Sequence, residues 1–551
     1  MPATAELENG PQATVEEIDA LIVGAGFAGL YQLIHLREKG FNAKVYDMAE
    51  QIGGIWYWNC YPGARVDTEA PIYQYSREDL WRDWNYTERF PAWTEIRAYF
   101  RYVDEKLGLD KDVRLNTRIE KARWDEQSQR WLVATDKGDM VSARYLIVCT
   151  GFASKPNYPQ IEGIEKFRGE TAHPGRWPQA GVDFTGKNVG IIGTGSSAVQ
   201  LTEQASLKAG KLTLFQRTPA IALPLQQRPF SVEEQDELKK TYKALFESRR
   251  HTFAGFDYQF EDVSWFDLTP EERLEHYRRK WQMGAFYAWL GTFRDLLADE
   301  RVSNDAYDYW RQRVHARVKN PQTAETLAPE KPPYLFGTKR MPLEQWFYDA
   351  FNQDNVELVD LKKNSILRAR EDGLETAAGF IPLDMIIFGT GFDAVHGGPA
   401  SIDIVGANGQ SLAEYWSDGF RTALGVASAN FPNLFFIYGP QSPAAWTNGP
   451  STAEYQGEWL VACIEYMRDK GFTRIEARPE AEEFWKKEIV ESANATLLPK
   501  TASWWFGNNL PGREMEPLYY AGGLPRFLEL SWASAKNGYR DFTLSREKAP
   551  A

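Results

Sequence analysis

The chain has little of what builds metal knuckles or disulfide frameworks: among 551 residues there are three cysteines, Cys60, Cys149 and Cys463, and six histidines. An odd number of widely spaced thiols supports neither a paired framework nor a ligand cluster, so no metal site is expected. The same scarcity points to a reducing compartment, and a cytoplasmic location is expected. There is also no block of lysine and arginine. The formal net charge of -13 is spread along the chain, which leaves nothing to track a phosphate backbone and sets nucleic acid aside as a partner. The longest apolar runs fall short of a membrane span. Residues 1–17 have neither the basic nor the apolar stretch of a leader and read as a disordered tail. No obligate protein partner is evident.

What is present is a globular composition, 43% apolar and 14% aromatic, in a chain too long for one hydrophobic core. Residues 18–47, IDALIVGAGFAGLYQLIHLREKGFNAKVYD, spell a strand, a glycine turn, a helix and a second strand. Gly24, Gly26 and Gly29 serve the bend, the approach of backbone to a pyrophosphate, and the packing of helix on strand. Asp47 ends the second strand, where a carboxylate holds a ribose 2′-hydroxyl. Leu30, Leu33, Ile34 and Leu36 face inward, and Gly40 is a helix stop.

A second copy begins at residue 188, NVGIIGTGSSAVQLTEQASLKAGKLTLFQR, with Gly193, Gly195 and Ala198 in the turn and Arg217 in place of the acid. A carboxylate would repel a 2′-phosphate that a guanidinium grips. Arg217 therefore either selects NADPH or simply ends an edge strand. Two such units in one chain predict an α/β fold with two Rossmann-like dinucleotide-binding domains, one for a flavin and one for a nicotinamide. YLIVCTGF (145–152) and MIIFGTGFD (385–393) are strands that return to them. Ser231 with Glu234, and Thr269 with Glu272, are helix starts of the capping-box kind; Leu238, Tyr242, Leu245 and Phe246 form a packing stripe. The expected plan is FAD binding by 18–152 and 382–551, NADPH binding by 153–222 and 331–381, and a helical insertion at 223–330.

Between the two units lies KFRGETAHPGRWP, in which Phe167, Gly169, His173, Trp177 and Pro178 match FxGxxxHxxxWP. This resembles the fingerprint of the type I Baeyer-Villiger monooxygenases, and Trp177-Pro178 favours ketone oxygenation over N- or S-oxygenation. The resemblance implies FAD, NADPH, O2 and a small ketone, with an ester or lactone formed through a flavin C4a-peroxide and a Criegee adduct. It makes the linker a joint between cofactor domains, with His173 its organiser; His173 taken alone equally reads as an imidazole tying down backbone.

The resemblance extends along the chain. GGIWYWNCYPGARVD (53–67) looks like the family's flavin-edge stretch, departing at Ile55 and Cys60. Gly54, Trp56, Trp58, Asp67 and Tyr73 are expected at the flavin. Only one cysteine is near, which argues against a disulfide reductase. GTKRMP supplies Lys339 and Arg340, a pair that alone would be an ordinary surface feature. In the family's position Arg340 is the catalytic cation: a guanidinium stabilises an anion without protonating it. Buried, it needs a carboxylate, and Asp67 is the candidate. Lys339 joins Arg217, Ser196, Ser197 and Thr218 at the NADPH. GPQSPAAWTNG (439–449) resembles the substrate loop, with Ser442, Trp446 and Thr447 at the pocket and Trp446 narrowing it. ASWWFGNNLPG (502–512) resembles a mobile loop over NADP, where Trp504 either donates its indole N–H or packs as an ordinary aromatic. Rival readings are an N- or S-oxygenating flavin monooxygenase and a redox sensor that holds both cofactors without turnover.

Overall fold

Two short apolar segments, each running into a glycine turn, become the central strands of two separate sheets. The computed structural model describes residues 15–510 and 512–546. In the first unit β1 (Glu16–Val23) leads into α1 (Phe27–Glu38) and β2 (Ala43–Tyr46). The helix ends with Lys39 as its cap and Gly40 beyond it at φ +81°, the left-handed stop expected. Strands β3 (Val113–Arg114), β4 (Ile119–Asp125), β5 (Arg130–Thr135) and β6 (Met140–Val148) complete the N-terminal part of this sheet. β1 lies between β2 and β6, parallel to both, with Leu21 and Ile22 fully buried. Near-continuous apolar character is what a strand covered on both faces requires.

The second unit holds β7 (Glu170–Ala172), β8 (Asn188–Ile192), α2 (Ser196–Ser206) and β9 (Lys211–Gln216). Its sheet takes two more strands from beyond the insertion, β10 (Val356–Asp360) and β11 (Met385–Phe388), in the order β10-β9-β8-β11-β7, all parallel. The chain then returns to the first sheet, where β12 (Asp403–Val405) pairs with β4 and β13 (Leu434–Phe436) with β6.

Two expected boundaries shift. The expected plan, with the first unit resuming at residue 382, puts β11 in that unit; it pairs with β8 and β7 instead, so the return falls after Phe388. An apolar strand fits either sheet, and only its hydrogen-bond partners decide. β1 begins at Glu16, inside the segment read as a tail; residues 1–14 lie outside the described residues.

The insertion contains α3 (Val232–Lys239), α4 (Tyr242–Ser248), α5 (Pro270–Met283), α6 (Glu300–Arg317) and α7 (Pro321–Leu327). Thr269 and Glu272 close a full capping box. At α3 only half of it forms: Ser231 accepts from the Glu234 N–H, but the Glu234 carboxylate is taken by both Nη atoms of Arg228. A charged donor outcompetes the helix backbone. The stripe at Tyr242 and Phe246 packs on Trp81 of the first unit. Arg249 is buried and pairs with buried Glu454 on α8 (Gly449–Lys470) and with Ser451 at 3.0 Å. Removing either partner would strand a buried charge at a cost of about 3–5 kcal/mol, so the insertion is fastened to the first unit as well as inserted in the second. Among the described residues, no helix is long and apolar enough to cross a membrane.

Candidate active site

The first glycine turn is closed to any side chain. Gly24 has φ +109°, and a Cβ on Gly29 would sit 1.8 Å from the Gly24 carbonyl oxygen. Asp47 braces the same turn: its carboxylate accepts from Ala25 N–H at 2.6 Å and Ala49 N–H at 2.8 Å. Burial raises its pKa and the two backbone donors oppose that. Gly54 faces the turn, and a Cβ there would lie 2.8 Å from Gly26 Cα. Two bare backbones are thus packed in direct contact, and neither position has room for a Cβ. Trp56, next in line, donates its indole N–H to the Tyr73 hydroxyl at 3.0 Å, and Trp58 lies under the Arg176 guanidinium at 4.4 Å.

The second turn repeats the backbone. Gly193 has φ +112°, and a Cβ there would meet the Gly389 carbonyl at 2.2 Å; a Cβ on Gly195 meets nothing within 4 Å. Ser196 is exposed at the start of α2, Ser197 accepts from the Tyr61 hydroxyl at 3.0 Å, and the Thr218 carbonyl accepts from Thr194 at 2.6 Å. Exposed Arg217 follows β9 directly. Lys339 arrives close by from beyond the insertion. Burial and the Arg217 charge lower its pKa to about 8. Its ammonium stands 4.4 Å from the Tyr334 ring centroid, and among the described residues neither cation has a carboxylate partner.

Arg340 and Asp67 join the units. Nε and Nη2 of the arginine donate to the two carboxylate oxygens at 2.7 and 2.8 Å, a two-pronged fork. Nη1 donates to the Ala445 carbonyl at 2.9 Å and the Thr447 carbonyl at 3.3 Å. A guanidinium has five N–H donors, so one is left on Nη2. Burial lowers the pKa of Arg340, but the Asp67 charge outweighs it and holds the group above its ordinary value. The Phe286 ring lies 5.1 Å from the guanidinium carbon.

The linker is pinned from both sides. His173 Nδ1 accepts from Gly175 N–H at 3.0 Å, which leaves the proton on Nε2 to donate to the Gly391 carbonyl at 3.0 Å. Burial lowers its pKa to about 4, so the imidazole is neutral. Trp177, 2% exposed, donates its backbone N–H to the Trp58 carbonyl at 3.3 Å and stands edge-on to Tyr61 and Phe184. A Cβ on Gly169 would strike the Asp384 carbonyl at 2.4 Å, and Phe167 packs in the second unit's core. Pro178 is exposed.

Comparison with known proteins matches residues 19–225 to the family model "Flavin-binding monooxygenase-like". A cyclopentanone 1,2-monooxygenase from Comamonas sp. is 47% identical over 530 residues, covering 96% of each chain. The chain belongs to the flavin-binding monooxygenases of the Baeyer-Villiger type. A solved structure of OTEMO in complex with FAD and NADP has TM-score 0.92 at 34% identity, covering 97% of this chain and all of that one. A phenazine N-monooxygenase, PhzNO1 of Lysobacter antibioticus, is 37% identical over 96% of this chain and 97% of its own.

In this monooxygenase the 439–449 loop and the 502–512 segment meet in an aromatic cluster. Ser442, Trp446 and Thr447 are each at most 1% exposed. Trp446 touches Trp505, Phe253 and Trp289, with ring centroids at 4.7, 5.2 and 5.9 Å. Trp504 stacks on Phe152 at 5.6 Å and stands edge-on to Tyr519. Sequence reasoning missed Phe286, Phe152 and Tyr438, whose hydroxyl donates to the Ala444 carbonyl at 3.2 Å beside the Arg340 acceptors. It also missed the carbonyls of Ala445 and Thr447. A single aromatic or a backbone carbonyl carries no local signal; only the fold gives these groups a role.

Proposed function

We propose that the protein oxidises a ketone to an ester or lactone, consuming NADPH and O2 and releasing NADP+ and water, with FAD as resident cofactor. Bound FAD supplies the chemistry by accepting the hydride and activating oxygen. The side-chain-free turn at Gly24 and Gly26, which leads straight into the N-terminus of α1, fits a pyrophosphate laid against bare backbone. Asp47 steadies that turn and presents its remaining lone pairs to a ribose hydroxyl. Arg217 and Lys339, two cations without a carboxylate partner among the described residues, fit a 2′-phosphate and so NADPH.

The observation that carries the reading is the Arg340–Asp67 fork. The carboxylate and two loop carbonyls orient a half-buried guanidinium whose charge is permanent in the working range. Negative charge that develops on oxygen beside it is stabilised, and no proton is surrendered to quench it. Ser442, Trp446 and Thr447 then shape the ketone pocket, with Trp446 bounding it, and Trp504 closes over the nicotinamide nucleotide. The linker of Phe167, Gly169, His173, Trp177 and Pro178 sets the distance between the two cofactor units. Three buried free cysteines suit a reducing compartment, and we place the enzyme in the cytoplasm.

The phenazine N-monooxygenase at 37% identity keeps N-oxygenation as a second reading. The purified yellow protein is to be screened with NADPH against linear, cyclic and aryl ketones and against phenazine, with mass detection of products. Esters or lactones one oxygen heavier than their ketones are expected. An N-oxide with inert ketones would replace the first reading by the second, and NADPH binding without any product would leave a sensor.

A further inference from the structure

The insertion reaches the catalytic clasp through a continuous wall. A Cβ on Gly255 would lie 3.5 Å from Thr447 Cγ2, against the loop whose carbonyl accepts from Arg340. Phe256 packs edge-on against Phe286 at 6.0 Å, and Phe286 is the ring beside the guanidinium. Tyr258 follows, its ring 5.4 Å from Phe256 and 4.0 Å from Tyr287. Among the described residues no hydrogen-bond partner from another residue occupies the Tyr258 or Tyr287 hydroxyl or the Asp257 carboxylate. Asp257 is open to solvent. Burial and then Glu69 nevertheless raise its carboxyl to about 7. Asp257 stands between Phe256 and Tyr258, at the solvent-facing end of the wall that begins beside the Arg340 guanidinium.

The charges around it do not cancel. Glu69 is held by Arg89, whose Nε donates at 2.7 Å. The Arg89 Nη1 is already engaged with the Met283 carbonyl at 3.0 Å and the Gln226 carbonyl at 3.3 Å. Asp67 is answered by Arg340. Arg89, the cation whose charge reaches Asp257, is therefore already held by Glu69, and Asp257 is the excess negative charge.

We propose that Asp257, with the Tyr258 and Tyr287 hydroxyls, forms the polar rim of the substrate cleft and selects neutral ketones against carboxylate-bearing ones. The proposal rests on the ketone reading above and names its substrate class. A keto acid entering past Phe256 meets a like charge with no free cation to compensate it, and rejection by repulsion is an effective source of specificity. A neutral keto ester of the same shape loses nothing.

The test compares methyl levulinate with levulinate in the holoenzyme. At pH 8.5 the wild type is expected to favour the ester in kcat/KM. Asp257→Asn should narrow that preference about tenfold by lowering KM for the acid, with the ester within about twofold of wild type. Asp257→Lys should narrow it further. Because Asp257 loses its charge as pH falls through about 7, the wild-type ratio should approach that of Asp257→Asn at pH 6, while the variant's ratio stays flat. Unchanged ratios in both variants would overturn the rim. Turnover of neither compound, with ketones inert across the panel, would instead overturn the ketone reading.

Discussion

The two nucleotide units share a backbone and differ in what their second strand delivers. After β2 comes Asp47, 9% exposed and bonded to the backbone of its own turn. After β9 comes Arg217, exposed and joined by Lys339 from more than a hundred residues on. The turn geometry is nearly interchangeable, with Gly24 at φ +109° and Gly193 at φ +112°. Where backbone amides cradle a pyrophosphate, they do so for any dinucleotide. On the reading proposed above, the choice between nucleotides falls to the side chains that gather after the second strand, and their sign of charge makes two copies of one fold non-equivalent.

The largest effect should come from breaking the clasp that couples the units. In Arg340→Ala, flavin retention and anaerobic reduction by NADPH should survive, since both glycine turns are untouched. Ester yield should fall about a hundred- to a thousandfold, the usual cost of removing a preorganised donor to developing charge. Stopped-flow reduction followed by product analysis separates these steps; near-normal yield would mean that the catalytic cation lies elsewhere. Asp67→Ala should be milder, because the charge remains and only its orientation is lost.

The contrast between the units is attacked directly by Arg217→Ala. One charge-assisted contact to the 2′-phosphate is worth roughly 1.5–3 kcal/mol, so KM for NADPH should rise about ten- to a hundredfold. KM for NADH should stay put. A parallel rise for both nucleotides would make Arg217 a structural strand end.

A smaller, pH-dependent effect isolates Lys339. Its ammonium is present below about pH 8 and is lost above it, whereas a bound phosphate favours the charged form and raises the pKa in the complex. Between the two values KM for NADPH should climb with pH by at most about tenfold per unit. Steady-state titration with NADH over the same range should be flat, as should NADPH titration of Lys339→Ala. A pH-independent KM in the wild type would remove Lys339 from the phosphate site.

Much of this was legible beforehand because it is local. Gly24, Gly26, Gly29 and Asp47 fall within 24 residues, a span over which a tight turn, a helix and a strand are dictated by spacing. The family fingerprint at Phe167 to Pro178 located the linker for the same reason, but the partners of His173 and Trp177 were not readable. Gly391 and Trp58 lie far along the chain in either direction. Half of the capping signal at Ser231 misled, because a competing arginine three residues upstream has no weight in a capping pattern.

Spacing along the chain is enough for two glycine turns, the opposite charges that follow them, and an arginine that a chemical argument wants near a carboxylate. The tertiary structure alone decided that β11 belongs to the second sheet and that Arg340 and Asp67, 273 residues apart, form a fork. It also decided that a wall of the insertion runs from that fork to Asp257. The reason is physical. A turn or a helix is chosen by energies among neighbours in the chain, whereas a strand's sheet and a buried ion's partner are chosen by which surfaces close together. Those surfaces exist only once the two units and the insertion have packed.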